Sequence, residues 1–435
     1  MARATRWSFR AVTLFMSLAK HLCNADELIS RQADGATGVS SFLRRGYHES
    51  VVVSNLVYID GGEYSTYNDG EVDFEYSSPL QANTLLSIDL SKNWTNSTLA
   101  MHSTTKPTSV PSLVYPGLCY DEDTNLLYTG FAGRTSVFNT SELDPWQMGI
   151  WIFEPDGLGS GTWGTALDSS ASVFDIITRP YTAAIAHGNR VGYALGGSVT
   201  WQTAPDAVKD TSATVPICSF GDVHGTSFLV NKLAMISHRW HVALRHGDAG
   251  THKRIFAVLG GVTKNPETDL LDWTTVTVFD PSEEKWYDRT QPGTRHRGER
   301  SSVLRDWQKL NMWIRFVYAG WGGDLGNKSV QFDQIYILTL PAFHWIKVDY
   351  SPTGTRHALT CHAVGGSQIL TIGGLNSAST DSSARIYEGP FKDKDKYTQG
   401  LAVFDLSTLE WKNEYTTNAN QYTQSDLVRT YYAQK

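Results

Sequence analysis

The feature of this chain that most restricts its fold is a repeated unit built around pairs of glycines. Six Gly-Gly pairs occur, and five of them end an apolar run rich in β-branched and aromatic residues. A glycine pair at a strand end allows a backbone geometry, or a close approach of a second backbone, that a Cβ would block. The five pairs are Gly61-Gly62, Gly196-Gly197, Gly260-Gly261, Gly322-Gly323 and Gly373-Gly374.

A tryptophan marks the second half of each unit. After the glycine pair come a variable stretch, another apolar run, a turn such as Asp-Pro-Ser or Asp-Leu-Ser, and then Trp, which we expect to open the next strand. The tryptophans at this position are Trp94, Trp163, Trp286, Trp345 and Trp411. Each unit therefore predicts four antiparallel strands. Such a sheet cannot bury both of its faces alone, and radial packing between two neighbouring sheets would cover them.

Glycine pairs followed by a spaced Trp resemble kelch repeats. LPAFHWIKVDY (340–350), RHALTCH (356–362) and FDLSTLEWKNEY (404–415) are similar to segments of fungal secreted or membrane-anchored kelch proteins, within the galactose oxidase and kelch-type superfamily. The resemblance covers roughly residues 45–430. It implies an all-β kelch-type β-propeller of about six four-stranded blades, with seven as the alternative, because 198–245 lacks clean third and fourth strands.

The N-terminus predicts a secretory signal peptide. Three arginines precede the apolar stretch 11–19, and Cys23-Asn24-Ala25 offers small residues around a cleavage site. A mitochondrial presequence is the alternative for such an Arg-rich, acid-free start. We therefore expect a signal peptide over 1–25, a lead-in over 26–44 and the propeller over 45–435, in a secreted or cell-surface protein.

Sequons and cysteines agree with this compartment without defining the fold. Four N-x-Ser/Thr sequons predict N-glycosylation, at Asn93, Asn96, Asn139 and Asn327. Once the signal is removed, three cysteines remain: Cys119, Cys218 and Cys361. One disulfide plus a free thiol and three buried thiols both stay open. Beyond the signal no apolar run approaches the roughly 18 residues that a membrane helix needs, so we expect no membrane span in this chain, although kelch relatives often carry one C-terminally.

Charge and motifs argue against several functions. The formal net charge of −7 without a basic stripe predicts no nucleic-acid partner. There is no G-x-S-x-G elbow and no H-E-x-x-H motif, so we predict no catalytic residues. The histidines His238, His241, His246 and His252 are surrounded by cationic residues, which disfavours a metal site. His357, Cys361 and His362 are expected to pack near the propeller axis, and no cofactor is predicted.

A copper-radical oxidase is the enzyme that the resemblance brings into question. That chemistry needs a Cys joined to a Tyr, two His ligands and an axial Tyr. Tyr47-His48 is the one adjacent Tyr-His pair, and it reads as a repeat position in the first unit. Because no cysteine falls beside a ligand set, the oxidase stays the alternative function.

The 63–83 insertion is the most distinctive loop and the predicted binding element. Exposed aromatic side chains can stack on sugar rings or anchor a protein, and the interleaved carboxylates would favour a basic or hydroxyl-rich ligand. The residues singled out are Tyr64, Tyr67, Asp69, Asp73, Phe74 and Tyr76. The alternative is a loop that folds back with its aromatics packed. The run 392–396 alternates in charge and predicts a solvated loop. The sequence thus predicts a non-catalytic extracellular module that binds a protein or a glycan at the cell surface or wall.

Overall fold

The structure, a computed structural model, describes 21 segments of the chain. They are residues 41–66, 79–136, 138, 149–165, 179–188, 191–195, 197, 202–203, 218–220, 241–242, 256–259, 275–280, 285–290, 299–303, 313–321, 326, 329, 333–340, 344–350, 355–379 and 389–433. The predicted signal peptide and most of the lead-in lie outside these segments. Over the described part no helix is long and apolar enough to cross a bilayer.

The described secondary structure is almost entirely strands. In chain order these are β1 (Phe42–Gly46), β2 (Glu49–Val53), β3 (Leu56–Asp60), β4 (Glu63–Thr66), β5 (Leu80–Gln81), β6 (Thr84–Asp89), β7 (Trp94–Thr95), β8 (His102–Thr105), β9 (Leu118–Asp121), β10 (Leu126–Thr129), β11 (Trp151–Pro155), β12 (Gly161–Thr165), β13 (Ala184–Gly188), β14 (Val191–Leu195), β15 (Cys218–Phe220), β16 (His241–Val242), β17 (Phe256–Leu259), β18 (Thr275–Asp280), β19 (Lys285–Thr290), β20 (Glu299–Val303), β21 (Trp313–Trp321), β22 (Ile335–Leu340), β23 (His344–Lys347), β24 (Thr360–Gly365), β25 (Gln368–Ile372), β26 (Leu401–Asp405), β27 (Glu410–Lys412) and β28 (Glu414–Tyr415). Helix α1 covers Asp426–Ala433, and two short 3-10 turns cover Gly389–Phe391 and Thr398–Gly400.

Six antiparallel sheets follow one another along the chain, each formed by one continuous segment. Their strand orders are β2-β3-β6-β8, β9-β10-β11-β12, β13-β14-β15, β16-β17-β18-β19, β20-β21-β22-β23 and β24-β25-β26-β27. The first strand of each sheet contacts the first strand of the next, and β24 contacts β2. The chain is therefore an all-β propeller, with these first strands around its axis. The number of blades in the whole chain stays a prediction. In the irregular third unit β15 supplies a third strand.

Apolar residues on both faces of each strand hold the sheets together. Along β3, Val57 and Ile59 pack with Leu370 of the last sheet, whereas Tyr58 between them packs with Leu127 of the second sheet. Successive side chains point to opposite faces of a strand. Because both faces of these sheets are covered, the strand reads as a continuous apolar run rather than an alternating one.

The glycine pairs join neighbouring sheets. The N–H of Gly62 donates to the carbonyl of Leu113, just before the second sheet, at 2.8 Å, and the N–H of Gly374 donates to that of Arg45, just before the first, at 2.7 Å. Gly62 has φ +80 and Gly374 has φ +126, where side chains are strained. In the fifth sheet Gly320 makes the equivalent bond, to Arg356. The predicted close approach is therefore between backbones of adjacent blades.

The repeat tryptophans follow the prediction with one exception. Trp163, Trp286, Trp345 and Trp411 all lie on the fourth strand of their sheets. Trp94 does not, because the fourth strand of the first sheet is β8. Instead Trp94 lies in β7, which pairs with β28, and its ring stacks on that of Tyr415 at 5.3 Å between centroids.

The C-terminal segment 414–433, which we call the strap, contacts three sheets. The Tyr415 hydroxyl lies 3.1 Å from the carbonyl oxygens of both Leu90, in the first sheet's segment, and Val364, in the last sheet. Further along, Val428 of α1 is fully buried in the core between the fifth and sixth sheets. Each of the six sheets is formed by one continuous segment, so no strand is shared between the first and the last sheet. The ring is closed instead by the strap and by the contact of β24 with β2.

The charge run 392–396 is exposed at Asp393, Lys394 and Lys396, as a solvated loop would be, but Asp395 within it is buried. The Asp395 carboxylate is buried and accepts two hydrogen bonds from the Arg356 guanidinium, at 2.7 and 2.9 Å. Arg44 lies 3.9 Å from the same carboxylate and donates to the carbonyl of Asp393. Alternating charge favours a solvated loop only when the partners are other charges in the run. Here the partner cations are Arg44 of β1 and Arg356, which precedes β24.

Candidate functional site

Four unusual backbone conformations mark one end of the ring. Of nine non-glycine residues with positive φ in the described segments, four lie just before a first strand: Tyr47, Tyr115, Thr182 and Ala358. Non-glycine residues rarely adopt this conformation, and where they do the strain often belongs to a site. Strand direction alternates within each sheet, so the loops between second and third strands emerge at this same end, which we call the entry face. The opposite end is the far face.

A chain of backbone hydrogen bonds links these residues around the axis. The N–H of Tyr47 donates to the carbonyl of Ala358 at 3.2 Å, and the N–H of Tyr115 donates to the carbonyl of Tyr47 at 2.7 Å. The left-handed conformation aims each N–H at the preceding blade. These backbone bonds between neighbouring blades consequently hold Tyr47 and Tyr115 at the axis.

Tyr47 and Tyr115, together with the residues that directly precede Thr182 and Ala358, form an aromatic cluster that we call the axial mouth: Tyr47, Tyr115, Tyr181 and His357. Ring centroids are 5.3 Å apart for Tyr47 and Tyr115, 6.0 Å for Tyr115 and Tyr181, and 6.0 Å for Tyr47 and His357. The three tyrosines are partly exposed, whereas His357 is buried. Tilted and edge-to-face pairs stabilise one another and leave ring surface toward solvent.

Charged side chains support the mouth from below. The Arg134 guanidinium lies 4.8 Å from the centroid of the Tyr181 ring. Glu63 is buried and accepts a hydrogen bond from the Ser136 hydroxyl at 2.6 Å. Burial raises the pKa of the Glu63 carboxyl, and nearby Arg134 opposes that rise. His357 is fixed by the Ser377 hydroxyl, 2.6 Å from its Nδ1. The tyrosines are therefore presented by a rigid polar support.

Below the mouth, three polar groups on or directly before the first strands have pKa values shifted toward their uncharged forms. Burial, followed by the Arg45 charge, lowers the pKa of His48 to about 3. Burial, followed by His187, lowers that of His362 to about 4. Burial, followed by Asp60, raises the pKa of Glu49 to about 8. Desolvation disfavours the charged form of each group.

Hydrogen bonds between first strands hold these groups. The Ser50 hydroxyl lies 2.6 Å from Nε2 of His362, and His48 Nε2 lies 3.1 Å from the Thr360 hydroxyl. Ser50 of β2 and His48, directly before β2, thus reach across to β24 of the last sheet. The placement of Cys361 and His362 on β24 agrees with packing near the axis, while His357 precedes that strand.

No cation site is evident in the described segments, where no group of three or more His, Cys, Asp or Glu could hold a metal ion. The side chains of His238, His241, His246 and His252 lie outside the described residues. Cys119 is buried with its thiol 3.9 Å from the Ala186 carbonyl, and Cys361 packs against the core of the last two sheets. Burial raises the pKa of both thiols, which disfavours the thiolate. Both are free cysteines, and the Cys218 side chain is outside the described residues.

The predicted binding loop is only partly described. Tyr64 lies in β4, which pairs with β1 and β5, and it is 7% exposed beneath the Arg45 guanidinium. It packs in the fold and cannot stack on a ligand. Tyr67, Asp69, Asp73, Phe74 and Tyr76 lie outside the described residues. The same holds for Gly196, Gly260, Gly261, Gly322, Gly323, Asn139 and Asn327.

Sequence reasoning missed Tyr115 and Tyr181. Units were matched on their glycine pairs and tryptophans, and Tyr47-His48 was read only as a repeat position. Aligning the segments before the first strands on their left-handed residues matches Tyr47 with Tyr115 and Thr182, and places Tyr181 one position earlier. That alignment would have found an aromatic residue at the axis in three units.

No family profile matches the chain. It is 26% identical over 164 residues to a "Kelch repeat-containing protein" of Arthroderma benhamiae, a match that covers 37% of this chain and 22% of that relative. The chain thus spans about a fifth of the length of this curated relative. A solved structure described as "Structure of YjhT" superposes with a TM-score of 0.48 and 12% identity, covering 84% of this chain and 96% of that one.

The antiparallel sheets and their closed order define a β-propeller. In its glycine pairs and spaced tryptophans the chain is similar to kelch-repeat proteins, one of which is the curated relative.

Proposed function

We propose that this chain is a non-catalytic extracellular binding module, whose protein or glycan ligand is held at the axial mouth on the entry face. The partly exposed tyrosines carry the proposal: Tyr47 and Tyr115 are in left-handed conformations, and Tyr181 directly precedes the left-handed Thr182. Strain of this kind is maintained by surrounding structure and tends to be kept where side chains must be aimed. The predicted signal peptide over 1–25 places the module outside the cell, at the surface or wall.

The chemistry of the mouth favours stacking over catalysis. Tyr47, Tyr115 and Tyr181 offer apolar ring faces beside hydroxyl groups, a combination suited to sugar rings and to protein anchors. Arg134 and Glu63 lie beneath them as a supporting pair of opposite charges. A rigid ring carrying aromatic residues at one end needs little ordering when a ligand binds.

The copper-radical oxidase is the less supported function. Tyr47 and His48 are adjacent in sequence, but Tyr47 faces the mouth whereas His48 is buried against Thr360. Metal analysis of the purified protein tests this alternative. Stoichiometric copper with oxidase activity would replace the binding proposal.

The binding test uses variants of the mouth against an immobilised panel of cell-wall oligosaccharides and purified surface proteins. Tyr115→Asn removes the ring while keeping a residue that tolerates positive φ, so the backbone is not further strained. Tyr181→Ala removes a second ring. Each change should weaken binding about 10-fold or more, the loss typical of an aromatic anchor.

Tyr120→Ala is the matched control, because Tyr120 is partly exposed on β9 near the far face, where its hydroxyl donates to Asn125. It should leave binding unchanged. Binding that is lost in the Tyr120 variant and kept in the Tyr115 variant would move the site away from the mouth. N-terminal sequencing of secreted protein should begin near Asp26.

A further inference from the structure

The turn between the third and fourth strands of the first sheet carries two consecutive sequons. Asn93-Trp94-Thr95 and Asn96-Ser97-Thr98 follow each other directly, so sequence treats them alike. In the structure they differ. Both lie at the far face beside the strap, but their side-chain amides face different surroundings.

The Asn93 side chain is exposed, with its amide oxygen tied to the strap. Oδ1 accepts hydrogen bonds from the backbone N–H of Thr417 at 2.9 Å and from the Thr417 hydroxyl at 3.0 Å. Because the oxygen faces the strap, the amide nitrogen is directed away from it. Nδ2 has no hydrogen-bond partner among the described residues. A glycan attached there would extend into solvent.

The Asn96 side chain is buried, and its amide nitrogen is used by the fold. Asn96 is 5% exposed, and Nδ2 donates to the Leu401 carbonyl at 2.9 Å and to Oδ1 of Asn413 at 3.2 Å. These bonds join the first sheet's turn to the last sheet. A glycan on Nδ2 would replace one of its two N–H groups and so remove at least one of these bonds, and the buried side chain leaves no room for it between the sheets.

We infer that Asn93 is an N-glycosylation site and that Asn96 is a structural residue of the closed ring, although both have the acceptor motif. The inference rests on the proposed passage through the secretory route. A glycan at Asn93 stands on the far face, opposite the axial mouth, so it leaves the proposed binding surface open.

The chain offers a matched pair of variants. Thr95→Ala destroys only the Asn93 sequon, and Thr98→Ala destroys only the Asn96 sequon. The two hydroxyls lie in the same turn, 2.8 Å apart, so both changes remove the same hydroxyl–hydroxyl contact. Neither change touches the Asn96 bonds to Leu401 and Asn413. Thr95→Ala also removes the contact of the Thr95 hydroxyl with Ser97, and Thr98→Ala removes the bonds of the Thr98 hydroxyl to the Thr95 backbone, so thermal unfolding of both variants is measured beside occupancy.

The test expresses the full chain in a eukaryotic secretory host in two forms, with its own N-terminus and with a leader peptide of the host. Occupancy of each sequon is read by glycopeptide mass spectrometry and by the mobility shift on enzymatic deglycosylation. We expect glycan on Asn93 and none on Asn96. Thr95→Ala should lose one glycan's shift, and Thr98→Ala should keep it.

Two results would overturn the inference: an empty Asn93 in protein secreted with the host leader, or glycan on Asn96 in folded protein. Failure of the native N-terminus alone, with Asn93 occupied behind the host leader, would instead refute the proposed location and leave the site assignment standing. Deglycosylated and glycosylated protein should bind the immobilised panel equally.

Discussion

Replacing Tyr415 should open the seam that closes the ring. This side chain is 4% exposed, stacks on Trp94 and places its hydroxyl 3.1 Å from the carbonyl oxygens of Leu90 and Val364. Tyr415→Phe removes one hydrogen bond from a buried site and should cost about 1–2 kcal/mol of unfolding free energy. Tyr415→Ala also removes the ring and should cost about 3–5 kcal/mol.

The assay is thermal unfolding, combined with amide hydrogen exchange. For a chain of this length the entropy of unfolding is about 0.9 kcal/mol per degree, so Tyr415→Ala should lower Tm by about 4 °C. Exchange should rise first in β7 and β28, because the lost contacts join these two strands. A double-mutant cycle with Trp94→Phe should give a coupling energy of about 0.5–1.5 kcal/mol for the stacked rings.

Tyr120→Phe is the matched control, since it removes a hydroxyl that donates at 3.1 Å to Asn125 in an exposed turn. Its cost should be below about 0.5 kcal/mol. If Tyr415→Ala matched this control in Tm and left exchange in β7 and β28 unchanged, the seam would not close the ring and our account of the strap would be wrong.

Three further predictions concern the glycine bond, the buried charge and pH. Gly374→Ala should destabilise the fold by about 1–3 kcal/mol, because φ is +126 and a Cβ would meet the Arg356 side chain at 2.6 Å. Urea unfolding measures this change, and an unchanged free energy of unfolding would contradict the prediction. Asp395→Asn should cost about 3–5 kcal/mol by leaving Arg356 without its carboxylate, and equal stability of variant and parent in the same assay would refute that. Since the unfolded chain protonates His362 near pH 6.5 and the folded chain only near 4, stability should fall as pH drops from 6.5 to 4, and His362→Gln should flatten that fall. Glu49 has the opposite effect, because its pKa is about 8 in the folded state and 4.5 in the unfolded state. Stability should therefore decline from pH 4.5 to 8, and Glu49→Gln should remove that decline. For either residue, parallel pH profiles of variant and parent would contradict the prediction.

Much of the architecture was readable from local pattern. An apolar run that ends in Gly61 and Gly62 predicted a strand and a close backbone approach, and both are present. Strand formation and turn chemistry depend on neighbouring residues, so they leave a mark within one repeat. Repetition of that mark then predicted the radial sheets, because each sheet must cover both of its faces.

The tertiary structure was needed wherever a residue finds its partner far along the chain. Trp94 does not lie on a fourth strand, because β7 pairs with β28 and the Trp94 ring stacks on Tyr415. Asp395 is buried because its carboxylate binds Arg356 of another segment. Asn96 and Asn93 share one motif, yet the last sheet buries the first and leaves the second exposed. Tyr47, Tyr115 and Tyr181 meet only at the axis of the closed ring. Composition and periodicity predict which side chains are buried. Which part of the chain covers them is determined by the closure of the whole ring.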